Sequence, residues 1–98
     1  MRKLTGLSEE VCGLDGTALI ENGRVITVGF LIANALARGA SAEPIRAMDI
    51  ALRVYNADGV LELEDADFAL AREAVEKDTL MSNLAKAPTL KFLTKAAG

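Results

Sequence analysis

The chain has no histidine and no tryptophan, one cysteine and two prolines. Without histidine, the usual general base near neutral pH and the commonest nitrogen ligand for zinc are both missing. A lone Cys12 cannot close an intramolecular disulfide, so a reducing cytoplasm is the simplest compartment. As a nucleophile Cys12 lacks the common partner that would activate it, and it reads as an incidental thiol. Aromatic residues make up only 4% of the chain. The core must therefore be built from Ala, Leu, Val and Ile, which suits helix packing. No apolar run approaches the roughly 18 residues a membrane span needs. The nearest, residues 25–37, is short and carries Asn34, and it reads as a buried helix. The first residues, MRKLTGLSEEVCGLDG, hold a basic pair and then acids, without the apolar centre of a signal peptide. The expected location is the cytoplasm of a host cell, with virion association as a further option.

What is present is apolar for so short a chain. Of the 98 residues 51% are hydrophobic, and mean hydropathy is +0.25. A domain of this length buries a core but has a large surface to cover. Excess apolar content favours a self-associated or partner-bound protein. The net charge of −3 conceals a division. Residues 58–78 hold Asp58, Glu62, Glu64, Asp65, Asp67, Glu73, Glu76 and Asp78 against Arg72 and Lys77, whereas the last twenty residues hold only Lys86, Lys91 and Lys95. Pairing of this basic tail with the acidic stretch inside one chain is expected, with a head-to-tail contact between subunits as the alternative.

The organising stretch is residues 17–38, TALIENGRVITVGFLIANALAR. Asn22-Gly23 favours a type I′ hairpin turn, because both central residues need positive φ. A two-residue loop sets Glu21 against Arg24, Ile20 against Val25, Leu19 against Ile26 and Ala18 against Thr27. Successive pairs point to opposite faces, so Ile20 and Val25 cover one side and Leu19 and Ile26 the other. A hairpin apolar on both sides needs two covers. Thr27 suits an N-cap and residues 28–38 a helix, with Gly39 as a left-handed stop. That helix is apolar nearly all round, and Ala33, Ala35 and Ala37 would let a neighbour approach closely. Leu19, Ile26, Phe30, Ala33 and Ala37 are the candidate interface residues.

Ser41 is placed to cap the next helix, with Pro44 in its first turn. Ile45, Met48, Leu52 and Tyr55 form its inward stripe, widened by Ile50 and Val54, and Asp49 can pair with Arg53. Asp58-Gly59 ends it. VLELE (60–64) is a short strand expected to pair with residues 11–14 or with the hairpin edge. A helix then runs from residue 64 or 65 to about 78, with Phe68, Ala71 and Val75 inward and Asp67 against the helix dipole. Pro88 should kink or divide the last helix, whose Leu84, Leu90 and Leu93 face inward.

No motif carries chemistry. Residues 56–61 resemble part of a calcium loop, but the position normally held by the first Asp is Val54, leaving a structural turn. Glu62, Glu64, Asp65 and Asp67 are read as capping and solvation. A helix-turn-helix is excluded by its over-long linker, and an acidic second helix and a pI of 4.9 repel phosphates. No catalytic, cofactor-binding or metal residue is assigned, and no nucleic acid or membrane partner is expected.

The succession LDGTALIENGRVITVGFLIANALARG, EPIRAMDIALRVYNADGVLELEDADFALAREAVEK and LMSNLAKA resembles a loose group of small phage- and prophage-encoded proteins. The matching positions are Thr27 and Gly29, residues 34–36, Ala51 and Leu52, Leu63 and Asp67, and Leu84, over about residues 14–93. The resemblance implies a phage gene product without catalysis, acting in particle assembly or its regulation.

The expected architecture is one α+β domain over residues 1–98, an N-terminal hairpin or small antiparallel sheet packed by about four helices. Residues 1–10 form a flexible arm, 11–27 the sheet and 28–95 the helical part. The expected function is a small non-enzymatic interaction or assembly protein, a homo-oligomer that also meets another phage or host protein. The alternatives are a nucleic-acid-associated regulator and a non-catalytic subunit of a larger enzyme or particle.

Overall fold

The first strand, β1 (Arg2–Thr5), pairs antiparallel with β4 (Val60–Leu63), with Leu4 opposite Leu61 and Arg2 opposite Leu63. This is a computed structural model that describes residues 1–97. Between the two strands lie the hairpin strands β2 (Ile20–Glu21) and β3 (Arg24–Val25), then helices α1 (Val28–Arg38) and α2 (Pro44–Asn56). Helices α3 (Asp65–Lys77) and α4 (Asn83–Ala97) follow β4. The fold is α+β: four helices and two small antiparallel sheets among the described residues.

Residues 1–10 are not an arm. Leu4 is fully buried and Leu7 nearly so. RKLT offers only one apolar side chain, so its own pattern does not announce a strand; β4 supplies the ladder and Leu4 and Leu63 bury together. Beyond β1 the chain binds α1 through its backbone. The N–H groups of Gly6 and Leu7 donate to the Gly59 carbonyl at 2.9 and 3.0 Å. The Leu7 carbonyl accepts from Gly29 N at 2.8 Å and the Glu9 carbonyl from Val28 N at 3.0 Å. Phe30 N donates to Thr27 Oγ1 at 3.2 Å, the expected N-cap. The first three N–H groups of α1, which no helix satisfies internally, are thus all taken.

The hairpin register is as read from the sequence, with Ile20 opposite Val25 and Glu21 opposite Arg24. Asn22 (φ 53°) and Gly23 (φ 75°) supply the two left-handed residues. The expected Ala18–Thr27 pair does not form. The hairpin opens there and residues 10–12 insert, with Glu10 bridging Thr27 and Cys12 bridging Ala18. Val11, almost wholly buried, donates to the Ile26 carbonyl and accepts from Leu19 N. Leu19 and Ile26 pack, half-buried, against the core to which Val11 belongs.

Helix α1 is central, packing on α2, α3 and α4. Leu31, Ile32, Ala35 and Leu36 are buried along it. Gly39 ends it in extended conformation (φ −67°, ψ 153°), not left-handed, and a Cβ there would sit 3.1 Å from the Ala35 carbonyl oxygen. The glycine serves close approach rather than positive φ. Ser41 accepts from Glu43 N before α2 instead of capping it directly. In α3, Phe68, Ala71 and Val75 are buried as expected. Helix α4 runs unbroken through Pro88, an interior position of the helix that forfeits only its own bond to the Leu84 carbonyl. Its buried side chains are Thr89 and Leu93; Leu84 is turned outward.

Leu4→Ala is expected to cost about 2–5 kcal/mol, the range for a fully buried leucine, read from chemical denaturation. Were residues 1–10 a loose arm, that midpoint would not move. Gly29→Ala places a Cβ 2.9 Å from the Leu7 carbonyl oxygen, so its melting temperature should fall as well.

Candidate protein-interaction surface

The rotation of α2 decides which apolar side chains reach the surface. On a helical projection α2 carries two stripes. One is Ala47, Ile50, Ala51 and Val54; the other is Ile45, Met48, Leu52 and Tyr55. The larger side chains were expected to face inward. The structure buries the first stripe and exposes the second, at 88% for Ile45, 43% for Met48, 55% for Leu52 and 51% for Tyr55.

Two forces fix this orientation. The buried stripe is small at Ala47 and Ala51, which lets α2 lie close to α1, and Ile50 and Val54 fill the seam for about 1.5–3 kcal/mol each. The flanking arginines are drawn to α3: Arg46 Nε donates to Asp67 Oδ1 at 2.6 Å and Arg53 Nη1 lies 3.7 Å from Asp67 Oδ2. Arg53 also donates to the Glu62 carbonyl at 3.3 Å. The expected Asp49–Arg53 pair is therefore not made, and Asp49 has no ion pair among the described residues. Asp67, read from the sequence only as a helix-dipole residue, is the anchor for this rotation. Its carboxylate is 13% exposed.

The exposed stripe continues onto the hairpin. Arg24 Nη1 donates to the Tyr55 hydroxyl at 2.8 Å. Beside that contact Ile20 is 67% and Val25 36% exposed. A groove of about 390 Å³ lies between the hairpin, the start of α1 and the end of α2, with Arg24, Val25, Phe30 and Tyr55 in its walls. Of the five interface residues expected from sequence, Leu19, Ile26 and Phe30 are half-buried against the core and Ala33 is buried. Ala37 is exposed. The outward hairpin face is the opposite one, Ile20 and Val25.

A second groove, of about 610 Å³, lies between the α1–α2 connection and the end of α3. At its edge Arg38 Nη2 donates to Asp78 Oδ2 at 2.6 Å. Asp78 Oδ1 accepts from Leu80 N and Met81 N at 2.8 and 2.9 Å, closing the turn into α4. Burial pushes the Asp78 carboxyl up, but Arg38 and those two backbone donors together hold it below its ordinary 3.8.

The acidic residues do not converge. Asp65 pairs with the N-terminal amine at 3.3 Å and with Arg2 at 3.5 Å, while Asp67 serves the α2 arginines. Nor does the basic tail pair with acidic side chains of α3 among the described residues. Lys86 instead donates to the Glu76 carbonyl at the end of α3, and Lys91 and Lys95 are exposed. Cys12 is an exposed free thiol. Among the described residues no group of three His, Cys, Asp or Glu is set to hold a metal, and no helix is long and apolar enough to cross a membrane.

A carboxylate held below its ordinary value stabilises the fold above that value, and the contribution disappears as pH falls through the lowered folded value. Asp78→Asn keeps the turn acceptor but removes the charge facing Arg38. It should unfold at lower denaturant at pH 7, by about 1–3 kcal/mol, with the gap to wild type closing below about pH 4. A gap that is constant with pH would show that the charge of Asp78 contributes nothing.

Comparison of the chain with protein-family models, with curated proteins and with solved structures finds no match.

Proposed function

We propose that this chain is a small non-enzymatic interaction protein that assembles with other protein surfaces through the outer face of α2 and the adjoining hairpin. One observation carries the reading. Ile45, Met48, Leu52 and Tyr55 are exposed along a single helix face and continue onto Ile20 and Val25. A soluble monomer rarely presents a contiguous apolar patch of several hundred Å² without a use for it. The rim is polar, with Arg24, Asp49 and Arg53 around the stripe, as protein interfaces commonly are. The resemblance to small phage- and prophage-encoded proteins supports placing this docking in particle assembly or its regulation.

A photo-reactive residue in place of Leu52 should give a discrete protein adduct in cells that carry the chain. The same residue in place of Lys95, on the exposed side of α4, should give none. If neither position 45 nor position 52 yields an adduct, this reading fails.

A further inference from the structure

We infer that the occupant of the α2 face is a second copy of this chain, docked antiparallel across a two-fold axis that crosses the outer face level with Ile50. The inference rests on the reading above and narrows it to one partner.

The stripe is symmetric about Ile50. Ile45 stands five residues before it and Tyr55 five after; Met48 stands two before and Leu52 two after. In an antiparallel pair centred there, Ile45 of each copy faces Tyr55 of the other, and Met48 faces Leu52. A two-fold contact requires such self-complementarity, because one patch must serve as both partners.

Shape agrees with that register. The most exposed side chain of the helix, Ile45, is a knob at one end, and the groove of about 390 Å³ lies beside Tyr55 at the other. At 1.5 Å rise per residue they are about 15 Å apart, so two copies run antiparallel place each knob at the other's groove. A parallel pair sets knob against knob.

Charge sets a condition on that register. Asp49 has no ion pair among the described residues and stands one residue from the axis, so like flanks bring Asp49 of the two copies together, with Arg53, already engaged by Asp67 and the Glu62 carbonyl, as the nearest cation on that flank. The area allows it. With roughly 200 Å² as an upper figure for a full side chain, the exposures of the six stripe and hairpin residues amount to at most about 700 Å² per copy. Two copies then bring together at most about 1,400 Å², which reaches the range of stable interfaces.

The test uses the purified chain at about 50 μM, above the micromolar Kd of the weak end of interfaces this size. Light scattering after size exclusion should give twice the chain mass for wild type. Leu52→Lys should give the single-chain mass with an unchanged far-UV circular dichroism spectrum, since Leu52 is exposed within one copy, and its melting temperature should no longer rise with concentration as that of the wild-type dimer does. For the register, Met48→Cys and Leu52→Cys chains are each made with Cys12→Ser. Oxidising the two together should form disulfide-linked dimers faster than oxidising either alone. A monomeric wild type, a Leu52→Lys dimer, or faster linking of either variant alone overturns the inference. A monomeric wild type that still gives an adduct with a different protein from position 52 in cells removes the second copy and leaves the interaction reading. A monomer with no adduct removes both.

Discussion

The first turn of α1 needs hydrogen-bond acceptors that a helix cannot provide for itself, and the fold depends on where those acceptors come from. Thr27 provides one, and the carbonyls of Leu7 and Glu9 provide the others. Those carbonyls lie at the far end of a segment whose beginning is β1. Meeting the need at α1 therefore draws the N-terminal residues across the molecule. On the way Gly6 and Leu7 bind the Gly59 carbonyl, and Val11 enters the open hairpin. One strap of about ten residues joins β4, the α2–β4 turn, α1 and the hairpin. Gly29 is the residue that tolerates the contact, since any side chain there meets the Leu7 backbone. Burial of Leu4, Leu7 and Val11, together with these backbone hydrogen bonds, opposes the entropy of ordering the strap.

The second constraint is the setting of α2. Its apolar residues could be buried from either of two faces, and size and charge select between them. Alanines on the inner face allow close contact with α1, and Asp67 draws Arg46 and Arg53 toward α3. The large residues are left outside. Nothing in the packing of one copy needs Ile45 or Leu52, whereas Ile50 and Val54 are buried in the seam. The surface patch is thus a by-product of how one helix is turned, and its turn is governed by residues on the other side of that helix.

What could be read from the sequence was local. The turn at Asn22-Gly23 fixes its register within four residues, Thr27 caps a helix three residues on, and α3 has one apolar stripe and one polar face. These elements appear where composition and spacing place them. The rest depended on distant partners. β1 holds a single apolar residue, and its strand identity comes from β4, far away in sequence. The rotation of α2 was illegible because both its faces are apolar and the deciding partner, Asp67, lies on α3. The same two gaps displaced the candidate surface. Without the strap, Leu19 and Ile26 read as uncovered; with α2 turned the other way, Ile45 to Tyr55 read as core.

Strap and surface are also mechanically joined. The groove beside Tyr55 is walled on one side by Leu7 and Ser8 and on another by Arg24 and Val25 of the hairpin. Val11 holds that hairpin in place through the Ile26 carbonyl and the Leu19 N–H. A two-residue-stranded hairpin has little stability of its own, so the position of Ile20 and Val25 relative to α2 is set by how firmly the strap is seated. Loosening the strap shifts one half of the patch against the other without altering any residue of α2. Packed surfaces hold a few discrete arrangements rather than a continuum, so the arrangement of this face depends on the backbone hydrogen bonds that join Val11 to the hairpin.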